Sequence, residues 1–374
     1  MKNFKERLKE HQISLINEST IFDGAKGGGR FRNVEQPHIL EDNRRENNLY
    51  KFIQEDVRKY FSINRICLWG DTQFNNDSLP KPTGNVLSSQ VFCLNHLFAI
   101  RKKEALVRIV MQKLINDKFK IDHMEKVCFL NKTKDKEKND DEHDDKDPQY
   151  ISFEAVSATQ HLYEKSLTRG CTCTSIDALA IAVNTNGEKI LLVMEWKLTE
   201  NDTGNKAPTE ETSKDKKEIA SGKTRVATYS SQDKERKNLI EKCEYIRTSQ
   251  SKDGYFNSFL YNLPFYELMR QTLWASLSLN DFGASDYLHI EVSHKDNIMR
   301  EKKYILEKEE IGIEKAWKSL LTEEGKERFI VANPYDIIPL IEDFKDYEDD
   351  DSNKLIDLKS LASYLNERYY NIKK

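Results

Sequence analysis

The sequence predicts an α/β protein: a β-sheet core flanked by helices, with mainly helical additions at both ends. Three observations carry that expectation. Two near-continuous apolar runs, Ser175–Val183 and Glu188–Lys197, stand on either side of Asn184-Thr185-Asn186-Gly187. A long helical period precedes them in LSSQVFCLNHLFAIRKKEALVRIVMQKL. A second amphipathic helix at Phe265–Leu279 and a strand at Tyr287–Val292 follow them. Periods near 3.6 and 2 alternating along one chain are the signature of helices packed on a sheet.

The two apolar runs are rich in Ile, Leu and Val and read as a β-hairpin. With Thr185-Asn186-Gly187 as a three-residue loop, Gly187 takes the left-handed position such a loop needs. Asn184 then pairs with Glu188, which sets Asp177 opposite Glu195. Side chains alternate faces along a strand, so Lys197 shares the face of Glu195 while Met194 and Trp196 point the other way. One face of the hairpin thus ends in two carboxylates and an ammonium. Charges at the end of a buried strand are costly unless paired or bound to a metal. Two carboxylates facing across a ladder repel, and a divalent cation between them removes the repulsion. Mg²⁺ suits this arrangement, since it takes one or two carboxylates and keeps several waters. Lys197 could then orient or deprotonate one of those waters. An isolated E-x-K is more often a structural ion pair. An Asp on the preceding strand, on the same face and at the same end, favours the metal.

At 374 residues the chain is long enough for one elaborated domain or two. Charged residues make up 33% and hydrophobic ones 38%, as in a soluble protein. No apolar run reaches membrane-spanning length, and Met1–Gln12 is too charged for a secretory signal. Cys67, Cys93, Cys128, Cys171, Cys173 and Cys243 lack a C-x-x-C spacing, which implies free thiols in a cytoplasmic chain and argues against zinc. The net charge of −4 is unevenly spread. Lys132–Pro148 contributes −3 and Glu342–Asp351 contributes −6, leaving +5 on the remainder. Both acidic stretches read as solvated loops or insertions, and the mildly basic body permits a nucleic-acid partner.

In chain order, Phe4–Leu15 reads as a charged amphipathic helix and Gly24–Gly29 as a flexible turn, without the preceding strand or spacing of a phosphate loop. Glu46–Tyr60 spaces Leu49, Phe52, Ile53, Val57 and Tyr60 as a core-packed helix. Ile63–Trp69 is a short apolar run ahead of a polar loop. Ser88 or Ser89 caps the long helix over Val91 to Leu114, with Gln90, Asn95 and His96 near its start. Gln149–Ser157 alternates as a strand carrying Glu154, either a third metal-facing carboxylate or a solvent-facing one. His161–Leu167 reads as a helical turn. Glu200–Gly222 is a polar excursion, and Ser221-Gly222-Lys223-Thr224 lacks the upstream glycine of a Walker A motif, which would fall at Lys217. Glu235–Ile246 reads as a charged helix, with Arg225 and Tyr229 ahead of it as candidate phosphate contacts. The tail reads as helices at Ile313–Leu321, Asp336–Phe344 and Asn353–Tyr370, with a strand at Phe329–Val331. No internal repeat is present.

The resulting order is α-β-β-β-α-β, with Asp177 on the second strand and Glu195-x-Lys197 on the third. This resembles the PD-(D/E)XK nuclease superfamily and its restriction-endonuclease-like mixed sheet. LSSQVFCLNHLF, FEAVS, RGCTCTSIDALA, EWKLTE and YELMRQTLWA are similar to stretches in a family of bacterial restriction endonucleases within it. The likeness spans roughly Asn85 to Asn297 and is densest at the hairpin. Ile176 stands where the superfamily's name has Pro. The resemblance implies three regions: an extension over 1–84, a nuclease core over 85–300 with insertions near 132–148 and 199–262, and a mainly helical extension over 301–374. It implies a Mg²⁺-dependent DNA endonuclease, with Mn²⁺ able to substitute and no nucleotide cofactor. Asp177, Glu195 and the main-chain carbonyl of Trp196 would hold the metal, and Lys197 would assist the attacking water. Glu154 is the candidate further acid. Gln90, Arg270 and Gln271 are candidates to touch phosphate or the lysine. Restriction is the first expectation. A structure-selective or repair nuclease and a non-catalytic DNA-binding module stay open. Cutting both strands at one site would call for a homodimer.

Overall fold

A computed structural model of the chain describes residues 2–31, 33–64, 66, 79–127, 149–157, 159–164, 173–199, 229, 239–247, 260, 264–297, 303–306, 309–345 and 357–372. In chain order, α1 (Phe4–Glu18) is followed by β1 (Gly27–Phe31), β2 (Val34–Leu40), α2 (Gln54–Ile63), α3 (Ser89–Leu97) and α4 (Glu104–Leu114). Strands β3 (Ile121–Glu125), β4 (Ser152–Ala155), β5 (Ile176–Asn184) and β6 (Lys189–Lys197) come next. Then come helices α5 (Leu239–Lys242) and α6 (Phe265–Leu277) and strands β7 (Asp286–Ser293), β8 (Lys303–Leu306) and β9 (Glu309–Gly312). The tail holds α7 (Ile313–Ser319), α8 (Glu323–Glu327), β10 (Phe329–Ala332), α9 (Ile338–Glu342) and α10 (Leu358–Leu365), which runs into a π-helical turn at Asn366–Tyr370.

The hairpin β5–β6 forms the middle of a mixed sheet of order β10-β7-β6-β5-β3, with β4 also paired to β5. Strands β6, β7 and β10 are parallel; β5 is antiparallel to β6, β3 and β4. Gly187 adopts φ 81°, and Asn184 N donates to Glu188 O at 3.0 Å, closing the three-residue loop. The hairpin is apolar on both faces because both are covered. Leu192, Met194 and Trp196 pack toward α1–α4 and the chain's last helices. Leu191 and Val193 pack toward α6 and α7. The sheet takes up β10 from the tail, and β3 and β4 lie end to end along β5: β3 pairs with Ile181–Asn184 and β4 with Ile176–Leu179.

Several elements differ from the expectation. The long α-helix ends at Leu97 and gives way to a 3-10 turn at Phe98–Ile100, after which the Arg101 guanidinium folds back over the Phe98 ring at 3.6 Å and donates to Phe98 O at 2.8 Å. The expected helix from Glu46 begins only at Gln54. Before it, Asn47 and Asn48 donate to the backbone at Phe22, Thr83 and Asn85, a side-chain competition that disfavours a helix interior, and Phe52 is exposed. The Gly24–Gly29 turn is in part a strand: β1 lies so close to β2 that a Cβ on Gly27 would stand 2.3 Å from Pro37 O. Strands β2, β3, β8 and β9 were not expected. The expected strand over Gln149–Ser157 is confined to Ser152–Ala155. Residues 158 and 165–172 lie outside the described set, so the helical turn expected over His161–Leu167 is described only to Glu164, where no helix has formed. The expected helix at Glu235–Ile246 is described as helix only over Leu239–Lys242. The acidic stretch 132–148 and the Ser221–Thr224 motif lie outside the described residues. No described helix is long and apolar enough to cross a membrane.

Candidate active site

The charged residues gather where the β5–β6 ladder ends. Its last pair is Ala178↔Met194, and one step further the register sets Asp177 against Glu195. There Asp177 Oδ2 accepts the Trp196 N–H at 2.8 Å, so a side chain takes a donor in the stretch where the ladder stops. On the other side, β4 sets Glu154 across from Asp177, between the pairs Phe153↔Ala178 and Ala155↔Ile176. Glu291 of β7 is paired with Glu195 and is buried. Four strands therefore contribute acids at one end of the sheet, the carboxyl end of β6 and β7.

Each of the three acids on β4, β5 and β6 is held by protein donors. Glu154 is buried and accepts Gln90 Nε2 at 2.6 Å and Ser175 Oγ at 2.7 Å. Of the two positions expected for Glu154, the solvent-facing one is thus excluded. Its φ of 49° is left-handed, rare for a non-glycine residue and a form of strain that collects at functional sites. Glu195 Oε2 accepts Gln271 Nε2 at 2.5 Å, and its Oε1 stands 2.9 Å from Lys197 Nζ. Lys197 Nζ also meets Glu267 Oε2 at 2.6 Å. Behind Gln271, its Oε1 lies 3.0 Å from His289 Nε2, which must donate; His289 Nδ1 then accepts from Thr272 Oγ1 at 3.1 Å. Burial holds His289 neutral, with its pKa lowered to about 3. A fixed tautomer thus orients the amide that orients Glu195.

Burial first, then the charges of Glu195 and Glu154, push the Asp177 pKa well above the usual carboxylate range. Burial likewise raises Glu195, against the opposing pull of Lys197. Cys93 beside this cluster is raised by burial and by the same acids, so it is a thiol and not a nucleophile. Among the described residues, no three His, Cys, Asp or Glu side chains converge as a ready-made ligand set. The donor chemistry nonetheless fits a hard divalent cation: oxygen ligands only, with Glu154 buried and Asp177 and Glu195 half-buried, and the other two acids raising the Asp177 pKa.

Other expected contacts lie elsewhere. Arg270 points away from the acids: it pairs with Glu164 at 2.9 Å and donates to Thr174 Oγ1 at 3.0 Å. Tyr229 is buried and donates to the same Glu164 at 2.9 Å. This network anchors the entry to β5 and engages Arg270 and Tyr229 with Glu164. Arg270→Ala is therefore expected to lower stability by about 3 kcal/mol, since it strands a largely buried acid. It should leave DNA affinity of the folded protein little changed, which a urea melt and a duplex titration would check. Arg225 lies outside the described residues. His96 is structural: Nδ1 donates to Phe92 O at 2.7 Å and Nε2 accepts from Tyr370 OH at 2.9 Å. Trp196 keeps its ring on the opposite face, against Phe92 and His96. Sequence reasoning passed over Glu267, Glu291 and Ser175. Glu267 was the most accessible of them, because it and Gln271 are four residues apart and so share one side of α6.

A family model described as Restriction Endonuclease associating with ARP matches residues 11–370. No curated protein and no solved structure matches the chain.

Proposed function

Because the chain belongs to the family described as Restriction Endonuclease associating with ARP, we propose that it is a Mg²⁺-dependent DNA endonuclease of PD-(D/E)XK type, acting in restriction. The observation that carries this reading is the row Glu154, Asp177 and Glu195 on three neighbouring strands, with Lys197 Nζ 2.9 Å from Glu195.

In this reading Asp177 and Glu195, with the Trp196 carbonyl, hold the metal, and Glu154 supplies further negative charge. When bound, Mg²⁺ supplies Lewis acidity toward a phosphoryl oxygen and toward water at neutral pH. The remaining work belongs to the chain. Glu195 and Glu267 hold the Lys197 ammonium at the mouth of the acid row, where it offsets charge developing on the phosphorane. Gln90 and Ser175 fix Glu154, and Gln271, fixed by His289, fixes Glu195. The apolar faces on either side of the sheet keep water from screening these charges.

Supercoiled plasmid incubated with Mg²⁺, Mn²⁺ or chelator tests the proposal. Wild type should cut with either metal and stop in chelator, and Lys197→Ala should cut roughly 10²-fold more slowly or worse. Equal residual cutting by both proteins would defeat the assignment. Discrete fragments from unmodified DNA support restriction. Cutting confined to forks, flaps or junctions would make it a structure-selective nuclease, and binding without cutting a non-catalytic module.

A further inference from the structure

Among the described residues, the hairpin β1–β2 forms a two-stranded sheet of its own, with no third strand beside it. At its tip Phe31 is 59% exposed and its cross-strand partner Val34 57%. Arg30 and Glu35 beside them are also open to solvent. Residues on both faces of the tip are therefore exposed, so the ribbon projects.

Its charge is opposite to that of the whole chain. Residues 26–40 carry Lys26, Arg30 and Arg32 against Glu35 alone, where the full chain has net charge −4. Arg30 meets Glu35 at 3.5 Å, with both side chains about two-thirds exposed, a loose pair that a phosphate can replace. Lys9 and Lys5 of α1 add positive charge near His38 at the ribbon's foot. Gly27, Gly28 and Gly29 give β1 a bare backbone over three residues. The ribbon is also rooted beside the acid row. Leu40 N donates to Gly84 O at 2.8 Å, and Ile39 bridges Asn85. Ser88 then caps α3, whose first turn carries Gln90 to Glu154.

A two-stranded ribbon is one of the two elements that the major groove of B-DNA, about 12 Å wide and 8.5 Å deep, admits. Beyond buried Gly29 the exposed residues include Arg30, Phe31, Val34 and Glu35, and two to three residues of strand extend roughly 7–10 Å, about the depth of the groove. We propose that the Gly27–Leu40 hairpin enters the major groove of double-stranded DNA, with Arg30 on phosphate or a base edge and Phe31 and Val34 as apolar contacts to base edges, and so selects where the enzyme cuts. This rests on the nuclease reading for its consequence, but not for its test.

The test uses the full chain carrying Asp177→Ala, with and without Phe31→Ala/Val34→Ala or Arg30→Ala, titrated with a mixed pool of linear plasmid fragments in Mg²⁺. The apolar pair change should weaken binding at least tenfold. Arg30→Ala should weaken it and flatten the dependence of log affinity on log salt by about one. Circular dichroism melts of each variant should match the parent, since the substituted side chains are exposed. Binding and salt slope unchanged in both variants would overturn the proposal. So would loss of self-association in place of DNA affinity, which would make the ribbon a protein contact. Hairpin-dependent binding in a wild type that cuts no DNA would sustain the ribbon and remove the nuclease reading instead.

Discussion

Asp177→Asn should abolish DNA cleavage, by roughly 10³-fold or more, and at the same time make the metal-free protein more stable. The two effects have one cause. The half-buried Asp177 carboxyl lies beside Glu195 and Glu154, and its pKa is pushed well above the usual carboxylate range. A raised folded-state pKa means that the folded state binds more protons than the unfolded one in the window between the two values. Stability is therefore lost as pH rises through that window. Asparagine keeps an acceptor for the Trp196 N–H and removes the charge. The gain should be present at pH 8, on the order of 1 kcal/mol or more, and shrink as pH falls toward the ordinary carboxylate pKa. Chelator-treated wild type and variant melted at pH 4 and pH 8 would check it. A variant no more stable than wild type at pH 8 would mean that the acids do not repel as their placement implies.

The second large effect is expected far from the acids. Arg368 is completely buried in the π-helical turn. Its Nη1 donates to Asn48 O at 2.6 Å and to Tyr364 OH, its Nη2 donates to Asn48 Oδ1, and the guanidinium lies over the rings of Phe22, Tyr364 and Tyr369. The Arg368 carbonyl accepts the Gln12 amide, and the neighbouring Glu367 carbonyl accepts His11 Nε2 at 2.7 Å. One residue thus ties α1, the turn at Asn48 and the last helix together. Arg368→Leu leaves the buried Asn48 Oδ1 without this donor, costing about 1–3 kcal/mol, while Asn48 O keeps Asn95 Nδ2 at 3.2 Å. With the guanidinium's contacts to the three rings also lost, a total of about 2–4 kcal/mol is expected, read as a lower urea midpoint. Plasmid cutting below the unfolding transition should persist, because no acid of the row is touched. A destabilisation under about 1 kcal/mol would show the contacts to be dispensable.

The hairpin and its register were legible because two independent signals agreed. The apolar runs defined the strands, and Gly187 fixed the loop that set the pairing. Once the pairing was set, Asp177, Glu195 and Lys197 had to share an end. Residues outside that ladder were harder to place. Glu154 depends on a backbone turn to φ 49° that alternation alone does not foretell. Arg270 and Gln271 are neighbours on one helix, yet they diverge: Gln271 meets Glu195 while Arg270 meets Glu164. Composition cannot separate them; only the helix's rotation against the sheet can. The glycine-rich hairpin was hidden because Gly and Pro37 usually punctuate strands, whereas an unshared edge tolerates both.

The outer border of the sheet is shared by β3 and β4, and each binds β5 through its own rungs. Neither ladder draws on the peptide bonds that join the two strands. A scissile peptide placed between them would divide the polypeptide into two fragments, β3 on the first and β4 with β5 on the second, with the β3–β5 rungs left to rejoin them. The acids would all lie on the second fragment and Gln90, which fixes Glu154, on the first. Cleavage would then be conditional on reassembly.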